Sequence, residues 1–197
     1  PQSDGHLSDS NERGEKLMRF FVTGEQKRQT LLNTIVLMFL GYIALLWVSN
    51  GMMFFHKMGL NPDSVVEYYL GSEEKFTQPK SYQSLLEVTH FHLFAMGMLA
   101  VTLTHLLLFT PLSVGLKVWL TGLTFVSALA DEIAGWLVRF VHPAFAWFKV
   151  AAFITLEFSL AAMLILVGAS LVWQRLEQRS RVKATGIPLA VGESRSD

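Results

Sequence analysis

His90 and His92, with Glu87, Asp131, Glu132 and Glu157, are the residues of this sequence whose types suit chemistry, and all six lie within or at the edge of long apolar runs. Imidazoles and carboxylates together ligate iron, copper, zinc or manganese, and imidazole alone can hold a haem iron. Without a metal, the same groups take up and release protons. Glu87 and His90 are three residues apart and share a helix face, the E-x-x-H spacing of di-metal carboxylate bundles. His92 is turned about 200° from His90 on an undistorted helix, so the two rings point to opposite sides. Glu132, Gly135 and Arg139 form one stripe, in which Gly135 leaves room for a group to approach the backbone.

The elements that must position these residues are four apolar runs, each long enough to cross hydrocarbon. They cover about 31–55, 85–109, 114–140 and 145–173. A soluble bundle would need a polar stripe on every helix, and Gly41 to Trp47 and Ala161 to Val167 have none. The expected fold is an all-α four-helix transmembrane bundle spanning 17–176. A tail precedes it at 1–16 and a cytoplasmic tail follows at 177–197; the composition of 1–15 and of 183–197 predicts disorder. Residues 1–16 lack the apolar core and cleavage site of a secretory signal, and Pro1 is as expected after removal of an initiator Met. Leu17 to Val22 is expected at the inner interface. Asn61-Pro62-Asp63-Ser64 starts a short amphipathic helix that runs to Leu70 and closes at Gly71, with Tyr68 and Tyr69 expected at headgroup level.

Composition agrees. Hydrophobic residues are 51% of the 197 and charged residues 16%, too apolar for an ordinary soluble domain. Sixteen basic and sixteen acidic residues cancel, so nothing points to nucleic acid. The absence of cysteine excludes disulfides, thiolate metal sites and covalent c-type haem. Arg13, Lys16, Arg19, Lys27 and Arg28 precede the first span, Lys117 follows the second, and Arg175, Arg179, Arg181 and Lys183 follow the fourth. This asymmetry predicts both termini in the cytoplasm and a multi-pass protein of a bacterial inner membrane, with the 56–84 loop periplasmic.

Ionisable groups in a bilayer are costly unless paired. Counting about 1.5 Å per residue from the cytoplasmic helix ends puts His92, Asp131, Glu132 and Glu157 at one height, about 24–27 Å, with His90 slightly higher and Glu87 above it. Trp47, Ser49 and Asn50 of the first span fall near this layer, while Arg139, His142, His56 and Lys149 lie above it. His105 is fifteen residues below His90. Three readings follow. The layer holds a noncovalent b-type haem or a transition metal such as iron or copper, in a redox component served by a quinone or a periplasmic cytochrome. A bis-histidine haem must then recruit His142, His56 or a second subunit. Alternatively the layer is a metal-free quinol or proton site, or it only fixes packing in an accessory subunit of a larger membrane complex.

The runs Glu87 to Gly97, Asp131 to Trp136 and Arg139 to Pro143 resemble a group of small bacterial four-helix membrane proteins, some of which carry an elongation-factor label. That resemblance covers roughly 16–173. It implies the four-helix fold and adds weight to the histidine and carboxylate layer. Similarity to b-type cytochrome subunits of respiratory complexes is architectural only.

Overall fold

A computed structural model describes residues 4–185, with side chains at 28, 31–177 and 180. The expected tail segments 1–3 and 186–197 and the side chains of Leu17 to Val22 lie outside the described residues. The described chain is helical, and its order is α1 (Asp4–Lys57), α2 (Pro62–Leu70), α3 (Tyr82–Leu108), α4 (Val114–Phe140), a 3-10 turn (Pro143–Phe145) and α5 (Ala146–Thr185). Four segments are long and apolar enough to span a membrane: Leu31–Lys57, Tyr82–Leu108, Val114–Phe140 and Pro143–Glu177. Each agrees with an expected span to within a few residues at its ends. The helix α1 continues N-terminally from its span to Asp4, through the stretch that composition assigns to a tail.

Helix ends follow local chemistry. The Asn61 side chain accepts from the Asp63 amide at 3.2 Å, and Pro62 opens α2 where its missing N–H costs nothing. Gly71 stops α2 at φ 82°, a conformation open to glycine, while its own N–H bonds back to Glu67 O. Ser81 caps α3 by accepting from the Ser84 amide at 3.1 Å. His142 Nδ1 accepts from the Ala144 amide at 3.1 Å, and Pro143 follows, so the chain turns here from α4 into α5.

The chain forms two compact units. In the first, Pro1–Phe39 with Leu171–Asp197, Arg175 donates to Thr34 Oγ1 at 3.2 Å. The second, Leu40–Ser170, contains all the candidate residues. Its core near the α2 end gathers Phe54, Val65, Tyr69, Leu85, Val138, Val150 and Phe153, with Phe54 and Phe153 stacked at a centroid distance of 3.5 Å. Thr124 Oγ1 donates to Met163 Sδ at 3.2 Å, and Leu103, Leu107 and Leu120 are buried as well. Large apolar side chains such as Leu45, Phe91, Phe94, Trp119 and Ile165 face outward. In water that surface would be a liability, and in a bilayer it is what lipid contact requires.

Candidate functional site

The polar groups of the second unit fall into three adjoining sets. On α4, Asp131 and Glu132 are consecutive, so they leave the helix about 100° apart and meet different neighbours. Glu132 meets α3: His92 Nδ1 lies 2.9 Å from Glu132 Oε1, close enough for an ion pair but not aligned as a hydrogen bond. Asp131 meets α5: Lys149 Nζ lies 2.8 Å from Asp131 Oδ1 and donates to the Asp131 carbonyl at 3.0 Å. The Lys149 side chain is only 7% exposed. An ammonium withdrawn that far from solvent is tolerable only when paired and hydrogen-bonded, as it is here.

The third set joins α1 to α5. Asn50 donates to Glu157 Oε1 at 2.5 Å, and Trp47 Nε1 donates to the Glu157 carbonyl at 3.1 Å. Glu157 Oε2 makes no hydrogen bond among the described residues and lies toward Gly51, where an added Cβ would sit 4.0 Å from it. Beside it, Trp47, Met52, Phe55, His56, Phe153 and Ile154 line an open groove of about 740 Å³.

Tyr69 closes the layer from α2. A Cβ on Gly135 would lie 2.7 Å from the Tyr69 hydroxyl, so the phenol fills the opening that glycine leaves on α4. Burial pushes this phenol up to about 12, with Asp131 and Glu132 adding to the effect and Lys149 opposing it. Tyr69, expected at headgroup level, is 8% exposed and packs into the protein core. The expected place of Lys149 is corrected. Counting residues placed it above the layer, yet its ammonium reaches Asp131 inside it. A count of backbone rise leaves out the length of the lysine side chain, which carries the charge well away from its Cα.

The remaining candidates lie elsewhere. Glu87 and His90 share a face, as expected, but both are exposed, and Glu87 accepts from Gln83 at 3.0 Å. His142 is exposed and caps the 3-10 turn, and His56 is exposed at the groove. His105, also exposed, packs edge-on against Phe109 at 5.6 Å. Arg139 does not share a bridging partner with Glu132; its Nε donates to the Lys80 carbonyl at 2.7 Å and ties the 71–80 loop to α4. Among the described residues no group of three or more His, Asp or Glu is placed to hold a metal ion.

No curated protein and no solved structure matches the chain. Residues 59–178, which hold α2 to α4, most of α5 and both the His92–Glu132 and Asp131–Lys149 pairs, match the family model of a transmembrane helical domain. More than half of the sequence is matched, so this chain belongs to the Aq_1264_TM family of transmembrane helical domains.

Proposed function

We propose that this membrane protein carries a metal-free proton site in the layer formed by His92, Glu132, Asp131, Lys149 and Tyr69. The observation that carries the reading is the two pairs side by side on α4, Glu132 with His92 and Asp131 with Lys149. The second pair is sealed, since Lys149 is buried and bound twice to Asp131. It fixes one charge of each sign and leaves Glu132–His92 as the pair that changes protonation. His92 is 39% exposed and Glu132 14%, so the imidazole is the outer member of the pair and the carboxylate lies behind it. An imidazole beside a carboxylate can take up a proton and pass it on. The basic-residue asymmetry puts this layer at the outer face, with both termini inside, in a bacterial inner membrane.

Infrared difference spectra of the protein in liposomes, stepped between acid and alkaline pH, test this. A carboxylic acid band that titrates, disappears in Glu132→Gln and moves in His92→Ala is the expected result. No titrating carboxyl band, together with variants that lose only stability, would make the layer a packing network in an accessory subunit. Stoichiometric haem, iron or copper in protein purified from native membranes would instead restore a redox centre.

A further inference from the structure

We infer that the groove between α1 and α5 binds lipophilic cations, with Glu157 as their counter-charge. Glu157 is an acidic side chain within a span that has no cation paired to it among the described residues. Asp131 has Lys149 and Glu132 has His92, but no ion pair among the described residues involves Glu157. Its partner is neutral: the Asn50 amide holds Oε1 and fixes the carboxylate, while Oε2 is left without a hydrogen bond. Trp47 Nε1 anchors the backbone below it.

The surroundings suit a ligand rather than a second protein charge. The groove walls are Trp47, Met52, Phe55, Phe153 and Ile154, and its volume of about 740 Å³ is that of a small-molecule site. Aromatic faces beside one carboxylate attract a cation with little hydration to lose, because the ring quadrupoles add to the ion pair. A strongly hydrated metal ion or primary ammonium would find too few polar partners here, with one free carboxylate oxygen. The occupant is therefore an apolar molecule with a delocalised or shielded positive charge. Its bulk lies on the aromatic walls, and it enters sideways from the bilayer because both helices are membrane spans. His56 also lines the groove, so the ligand charge sits at the Glu157 end, away from that imidazole. This inference does not depend on the proton reading of the His92–Glu132 pair.

Binding of tetraphenylphosphonium to the full chain in detergent or nanodiscs, measured by equilibrium dialysis, is the test, with its neutral analogue tetraphenylmethane as control. Saturable binding that falls at least about tenfold in Glu157→Gln is expected, which corresponds to about 1.4 kcal/mol or more for the loss of one half-buried counter-charge. The amide keeps the side-chain size and can still meet Asn50, and gel filtration and melting report whether it folds. Gly51→Leu, which fills the groove without altering charge, should abolish binding as well. His92→Ala should leave it unchanged. Equal binding of the neutral analogue, undiminished binding by Glu157→Gln, or no saturable binding at all would overturn the inference and make the groove a seat for lipid chains.

Discussion

Gly135→Ala tests how tightly α2 is seated on the membrane domain. On helix propensity alone, replacing a mid-helix glycine by alanine stabilises by about 1 kcal/mol. The structure predicts the opposite sign. The added methyl would lie 2.7 Å from the Tyr69 hydroxyl and 3.1 Å from both Cε1 and Cζ. Those atoms belong to a rigid ring that cannot swing aside as a flexible chain end would. The ring is also held from behind, edge-on to Tyr68 at 5.1 Å, and the Tyr69 carbonyl accepts from the Lys80 amide at 3.0 Å. Overpacking of this kind costs about 1–3 kcal/mol, so the net change runs from about zero to a loss of about 2 kcal/mol. Thermal melting of the detergent-solubilised protein measures it, and the decisive comparison is a cycle with Tyr69→Ala. With the ring gone the methyl has room, so Gly135→Ala should become stabilising, with a coupling of at least about 1 kcal/mol. An equal gain from Gly135→Ala in both backgrounds would show that Tyr69 does not rest on this glycine.

Three further outcomes are expected. Lys149→Met strands the Asp131 carboxylate and should cost about 3–5 kcal/mol, whereas Asp131→Asn with Lys149→Met should recover most of that loss in the same melting assay. Because the folded state holds Tyr69 protonated up to about 12 against an ordinary 10, its contribution is fully present below pH 10 and lost as pH rises toward 12. That loss amounts to about 2–3 kcal/mol, should vanish in Tyr69→Phe, and is followed by phenolate absorbance alongside unfolding. Reporter fusions after Gly71 should read outside and those after Ser113 and Lys183 inside; an outside reading at Lys183 would invert the orientation drawn from the basic residues.

The four spans were legible because hydrophobic length is a local property. Leu31 to Phe55 holds no charge, and any run of that length and apolarity must satisfy its backbone as a helix in lipid. The short α2 was legible for the same kind of reason, since Asn61, Pro62 and Gly71 fix its ends through their own backbone preferences. The sequence also determined that His90 and His92 point to opposite sides, and that Gly135 leaves a gap on its helix.

Which of the two histidines faces inward, and what fills the gap, was decided by tertiary structure. His92 meets Glu132 while His90 is exposed, because helix rotation depends on every neighbour packed against α3. Heights counted along separate helices need a common origin and leave out side-chain reach, so Lys149 fell outside a layer that its ammonium enters. Tyr69 was harder still to place, since a tyrosine in a loop helix is equally at home at a lipid headgroup or in a core. Only the docking of α2 on α4 selects between them. Hydropathy and capping are summed over neighbours in sequence, so the chain determines them by itself. The pairing of Asp131 with Lys149, of Glu132 with His92 and of Asn50 with Glu157 joins residues 18 to 107 positions apart, and only the packed bundle sets those distances.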